Sequence, residues 1–225
     1  MAYTPVQICN LALARVGDDA SQITALPETV SSNYSKEANL CAKFYKASLL
    51  EVLRMHTWNC AKKRAKLARL STDPIFGFSC QYTLPVDCAR PLELHSTSDA
   101  SRSIRFNVEW VIEGRSVLTN IEDAWMLYIS NMSDLTNADS LFVKVLYMTL
   151  AAKLAYPLTE NRMLTNDLIQ ELEQVVLPDA RRVNSFEGRE APVIDSEWLE
   201  ATYAGYSGAE ISRMSFDLSG LNTTI

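Results

Sequence analysis

Histidine is scarce in this chain: His56 and His95 are the only two among 225 residues. The five cysteines, Cys9, Cys41, Cys60, Cys80 and Cys88, are an odd number with no Cys-x-x-Cys pair. A zinc site would need an unusual ligand set, so the thiols read as reduced and no metal or other cofactor is expected. There is no glycine-rich phosphate loop, no Gly-x-Ser-x-Gly and no His-Glu-x-x-His, which removes the common signatures of nucleotide hydrolysis, serine hydrolysis and zinc proteolysis. No run reaches the ~18 uninterrupted apolar residues of a membrane span. The nearest, residues 141–154, is broken by Lys144 and Lys153. The N-terminus lacks the basic-then-apolar pattern of an export signal, and neither an internal repeat nor a low-complexity tract is present.

What remains is ordinary for a globular chain: 48% hydrophobic and 21% charged residues, enough to bury a core. The net charge of -6 is unevenly spread. Residues 183–225 hold seven acids (Glu187, Glu190, Asp195, Glu197, Glu200, Glu210, Asp217) against Arg189 and Arg213, and four of the seven glycines. That shift marks one boundary near Gly188, with a body over 1–188 and an extended, acidic C-terminal arm over 189–225.

Thr4-Pro5-Val6-Gln7 opens a first helix, with Thr4 as cap, Pro5 at the first position and Gln7 as capping-box partner; Gly17 is its stop. Ala38, Cys41, Tyr45, Leu49 and Val52 recur at three and four, predicting a helix from about 35 to 55. The segment 60–70 fits neither period. The middle of the chain reads as antiparallel strands, over 79–84, 90–96, 103–112, 115–119 and 124–130, with a tight turn at Glu113-Gly114. Helix returns with a cap expected at Thr136 and an all-round apolar stretch, ended by Pro157. Thr159 is expected to cap a last helix with Leu164, Leu168, Leu172 and Val175 on one face, kinked or stopped at Pro178. The fold class is therefore α+β: a mainly helical bundle (helices within 4–57 and 136–186), an inserted antiparallel β region at about 78–131, and the arm.

The chemistry-bearing residues divide into candidates and bland readings. Asp87, Cys88 and His95 are the residue types of a cysteine nucleophile with its helpers, but seven residues of strand put His95 roughly 20 Å from Cys88, beyond hydrogen-bond reach. The turn reading uses the same residues: Pro85 after a strand, Asp87 bonding locally, Cys88 as apolar filler and Pro91 opening the next strand. His56 lies at a helix end without a visible catalytic partner. Lys62, Lys63, Arg64, Lys66 and Arg69 form a basic run suited to a solvated face or to nucleic acid, though no aromatic interleaving supports base stacking. Glu109 with Trp110 could make a sugar platform, against a buried core Trp; Glu122/Asp123 and Glu171/Glu173 read as surface pairs.

Four segments carry a resemblance. Ile8–Gly17 (ICNLALARVG), the stretch around Trp58 with its basic continuation, the Leu84-Pro85-Val86-Asp87-Cys88 turn, and the apolar LYMTLAAKLAYPLT over 146–159 are similar, in order and spacing, to the podovirus tail tubular protein A, or head-to-tail adaptor, family. Asn59-Cys60 stands where that family commonly has a Phe-Ala pair. The resemblance covers about residues 5–185. It implies a non-enzymatic virion protein: a homo-oligomeric ring of about twelve copies between the portal protein and the tail nozzle protein, prolonging the DNA channel. It implies no specific DNA binding, no membrane partner, and assembly in the host cytoplasm. It makes Trp58, Leu84, Pro85, Asp87 and Cys88 structural motif residues, with no catalytic residue. Its C-terminal arms reach the portal, which makes Trp198, Leu199, Tyr203, Tyr206 and Phe216 candidate portal anchors in a segment that orders on binding. Two other readings stay open: a virion-associated cell-wall or sugar hydrolase, and a different neck or head-completion protein.

Overall fold

A computed structural model describes residues 3–17, 22–28, 32–96, 108–132 and 135–187, all within one compact unit, Met1–Gly188. The arm anchors Trp198 to Phe216, and Ile104 and Phe106 of the expected strand 103–112, lie outside the described residues. The chain is mixed α/β with two antiparallel sheets.

The first helix, α1 (Pro5–Val16), starts as its sequence dictates. Thr4 accepts from the Gln7 backbone N–H, Gln7 returns a bond to the Thr4 N–H, and Gly17 closes the helix at φ 95. The second, α2 (Lys36–Met55), is capped by Ser35 and buries Ala38, Cys41, Tyr45, Leu49 and Val52, the stripe read from the sequence. After a short 3-10 turn the ambiguous segment becomes β1 (Lys62–Lys66) and β2 (Ala68–Arg69). The β region therefore begins near residue 62 rather than 78. Basic side chains hid this strand from periodicity, because Lys62 to Arg64 and Lys66 are all exposed and Ala65 is half-buried.

Then follow β3 (Cys80–Thr83), β4 (Cys88–His95), β5 (Trp110–Glu113), β6 (Ser116–Thr119) and β7 (Trp125–Ser130). One sheet has the order β1-β7-β4 and the other β2-β3-β6-β5, all pairs antiparallel. Pro91 sits on the edge strand β4, where a missing N–H is tolerated. The register of β4 against β7 slips twice, leaving Ala89 and Leu92 as extra residues. The second slip changes the face: Leu92 packs on the helical core, while Leu94, two residues later, packs on the β core. Strand β7 is shared in the same way, with Ile129 against the helices and Met126 and Tyr128 against the second sheet. The first sheet is thus the wall between two cores.

The centre of the helical core is α3 (Ser140–Thr159), buried on nearly every side against α1, α2 and α4 (Arg162–Glu171). It is long and apolar enough to cross a membrane, but 61% of its apolar window is buried inside the protein. Three expectations about its ends need correction. Asp139, not Thr136, is the cap, accepting from Leu141 and Phe142 N–H. Pro157 lies inside the last turn, where it removes one backbone bond without breaking the helix. Thr159 closes α3 rather than opening α4: its hydroxyl donates to the Ala155 carbonyl (2.7 Å), and Asn161 caps α4.

Pro178 does not stop the last helix. A π turn at Leu172–Val176 precedes α5 (Leu177–Phe186), with the Leu177 N–H reaching back to Leu172. The widened turn accommodates a proline that can donate nothing to its preceding turn. It also shifts the buried face: Leu168, Leu172, Val176 and Ala180 are buried at spacings of four, and Val175 is exposed. The expected stripe ending at Val175 is off by the one residue that the π turn inserts.

Candidate functional site

The Leu84–Cys88 corner joins the two sheets. It follows β3 and precedes β4, and it is held from three directions. The Leu84 N–H donates to the Arg115 carbonyl (3.0 Å), and the Arg115 guanidinium donates to Pro85 O (2.8 Å). The Cys88 N–H closes the turn on Pro85 O (3.0 Å), and Asn131 N–H donates to Asp87 O (2.7 Å). The Asp87 carboxylate accepts from Lys63 Nζ (2.8 Å) and from the Tyr128 hydroxyl (3.0 Å). These bonds, Lys63 first, hold its pKa below the usual aspartate value, while burial and the same carboxylate push Tyr128 up to about 12.

Cys88 and His95 are the two ends of one strand, β4. Burial pushes the Cys88 thiol up, the direction opposite to nucleophile activation. His95 faces Glu93 (3.2 Å) on its own strand. The structure brings Asp87 and Cys88 together and leaves His95 apart.

Trp58 anchors a second junction, at the C-terminal end of α2. Its ring is buried, edge-on to both His56 (5.0 Å) and Phe142 (5.3 Å), and its Nε1–H donates to the Val52 carbonyl (2.8 Å). Two further carbonyls at this end accept from arginines: Arg54 O from Arg90 (3.2 Å) and Met55 O from Arg181 (3.1 Å). Cations here complement the helix dipole. Asn184 on α5 ties the knot. It donates to His56 Nε2 (3.0 Å) and Thr57 O (3.1 Å), and accepts from Asn59 N–H (2.9 Å). Asn59 returns a bond to the Asn184 carbonyl (2.6 Å). Burial first, then Arg181, Lys62 and Arg90, lowers the His56 pKa and so favours the neutral ring. Sequence reasoning missed Asn184, Arg90 and Arg181, because a contact spanning some 128 positions leaves no local pattern.

The basic run is divided. Lys63 pairs with Asp87; Lys66 pairs with Asp123 (2.7 Å) and lies over the Trp125 ring (5.4 Å); Arg69 pairs with Asp73 (3.3 Å). Of the sugar-platform pair, Trp110 packs half-buried on the β core, and the Glu109 carbonyl accepts from Thr119 (2.9 Å). Glu171 pairs with Arg15. Among the described residues no group of three or more His, Cys, Asp or Glu is arranged to hold a metal ion.

The surface carries a feature that composition did not reveal. Ile75 and Phe76, in the loop between β2 and β3, are 99% and 86% exposed. Val86, at the tip of the Leu84–Cys88 corner, is 91% exposed. A separate open groove of about 640 Å³ runs beside α2, with Leu26, Pro27, Tyr45, Leu49 and Leu50 in its lining. The dipeptide Ile75-Phe76 between Pro74 and Gly77 was the available signal: two large apolar residues where turn residues belong.

No protein-family model matches the chain, and no curated protein matches it.

Proposed function

We propose that this protein is a structural virion component, a head-to-tail adaptor. On this reading the described residues are the adaptor body, a mainly helical bundle with an inserted β region, and residues 189–225 are an extended arm. About twelve copies form a ring between the portal protein and the tail nozzle protein, and genome DNA passes through the channel without specific binding. The protein works in the neck of the virion after assembly in the host cytoplasm, and it is not an enzyme.

The observation that carries this reading is the Leu84–Cys88 corner. Its residues resemble the adaptor family's turn, and their polar groups are spent on joining strands: Asp87 on Lys63 and Tyr128, Pro85 on Arg115. Meanwhile Ile75, Phe76 and Val86 stand in solvent on loop tips, where large apolar side chains suit contacts between proteins better than a monomer's surface. An acidic chain also suits a DNA conduit, where like charge limits sticking to phosphates.

The test mixes purified protein with the cognate portal and images the complex by electron microscopy. A ring of this chain stacked on the portal is expected. Absence of portal binding, or turnover of a cell-wall or glycan substrate by the pure protein, would overturn the adaptor reading.

A further inference from the structure

A fully exposed apolar pair and an open apolar groove coexist on one body. Both are chemically incomplete. Ile75 and Phe76 have no protein against them, and Gly77 beside them adopts φ 85, a left-handed conformation that holds the tip turned. The groove has buried Pro27, Tyr45 and Leu49 in its floor, with half-buried Leu26 and Ala42 and exposed Leu50 at its rim along one side of α2.

The pair does not fill its own groove: both side chains stand in solvent and neither lines it. β3 separates them: it runs extended over Cys80–Thr83, roughly 10 Å at about 3.3 Å per residue, before the Pro85–Cys88 turn. The loop lies at the first end of that span. At the other end, Asp87 O is bonded to the N–H of Asn131, which lines the groove. Knob and groove are therefore separate surfaces of the body.

The charges beside them match. Glu28 and Lys46 flank the groove, and Lys46 makes no ion pair among the described residues. Asp73 and Arg69 flank the knob and, among the described residues, form an ion pair only with one another across exposed surface. Each side offers one acid and one base, so Asp73 can meet Lys46 and Arg69 can meet Glu28 when the apolar parts engage.

We propose that Ile75 and Phe76 of one copy insert into the α2 groove of the next copy. The contact is heterologous, because knob and groove are different surfaces; repeated around an axis it generates a closed ring. The contact is also small. A buried aromatic covers about 150–250 Å², far below the roughly 800 Å² per partner of a stable interface. Free copies therefore remain mostly monomeric, and the contact closes when a partner holds neighbours side by side and raises their effective concentration. The pairing of knob and groove stands on the surfaces themselves; the ring that it builds rests on the adaptor reading above.

Cysteine trapping tests it. In a background with the half-buried Cys60 and Cys88 changed to Ser, copies carrying Phe76→Cys are mixed at high concentration with copies carrying Leu50→Cys, and a short bis-maleimide is added. A mixed dimer is expected, and copies carrying both substitutions should give a ladder of dimers, trimers and longer chains. Lys46→Glu should slow trapping by about two- to fivefold, and Asp73→Lys on the opposing copy should restore it. No mixed dimer, or faster trapping of Phe76→Cys with itself, overturns the proposal, as does trapping indifferent to Lys46→Glu. Trapping without portal binding would leave this contact standing and remove the adaptor reading. Portal-bound rings without trapping would do the reverse.

Discussion

The helical core and the β region of this protein are held by different forces. Around α3 the interior is aliphatic and aromatic: Phe142, Leu146, Leu150 and Leu154 are fully buried, as are Ile8, Leu53 and Trp58 from neighbouring elements. The β core is smaller among the described residues, built on Tyr82, Val117, Met126 and Tyr128. It leans on polar ties at its edges. Tyr82 donates to the carbonyls of Ile121 (2.7 Å) and Glu122 (2.5 Å), Tyr128 to Asp87, and Arg115 to Pro85. Burial of apolar area stabilises the first region and is indifferent to pH and salt near neutrality. Hydrogen bonds to charged groups and exposed ion pairs stabilise the second, and these respond to both.

Truncating the helical core should have the largest effect. Trp58→Ala removes a fully buried ring together with the bond to Val52, and should cost about 3–5 kcal/mol, read as a fall in the urea midpoint. A cost under about 1 kcal/mol would mean that the α2 end is not part of the core.

Next comes the corner. Asp87→Ala should cost about 1–3 kcal/mol, since it strips the Tyr128 hydroxyl of its acceptor. Hydrogen exchange should rise in β4 and β7 and stay unchanged in α3. The same carboxylate gives a pH dependence. Its folded pKa is depressed, so its contribution is present above the ordinary value of 3.8 and is lost as pH falls below that through the folded value. Tyr128 works in the opposite sense: its folded pKa is raised from 10 to about 12, so its contribution is lost as pH rises across that interval. The wild type should lose stability at both limits more steeply than Asp87→Ala does.

A smaller effect of opposite sign is expected inside α2. The Ser48 hydroxyl is buried with no partner among the described residues. Ser48→Ala should therefore stabilise by about 1 kcal/mol, visible as a higher Tm. Destabilisation would show that the hydroxyl is engaged.

The smallest effect concerns His56. Its pKa is lowered from 6.5, so folding disfavours the charged ring, and stability should decline as pH falls through that value. The exposed part of the ring keeps this modest. His56→Gln should flatten the decline, and a slope unchanged by that substitution would place the titrating group elsewhere.

What the sequence revealed follows the range of the interactions. The capping box of Thr4 and Gln7 and the three-four spacing of Ala38 to Val52 are local rules, so α1 and α2 were legible residue by residue. The strand 125–130 was legible from its apolar content, whereas Lys62–Lys66, whose lysines and arginine face water, was not. Thr136 and Asp139 are both good cap residues by type, and the cap of α3 is Asp139. The π turn that moves Val176 inward in place of Val175 has no signature beyond Pro178 itself. At the candidate site, the Leu84–Cys88 corner was readable from Pro85 and Asp87. Its fasteners Lys63 and Tyr128 come from other strands and Arg115 from the turn before β6, and Asn184 reaches His56 across 128 positions.

On the adaptor reading proposed above, this body assembles on a portal. The most direct measurement is electron microscopy of the full-length protein mixed with its cognate portal, with symmetry read from the images. Isolated copies are expected without the portal, and a closed ring of about twelve on it. Portal vertices left bare at saturating protein would contradict that reading.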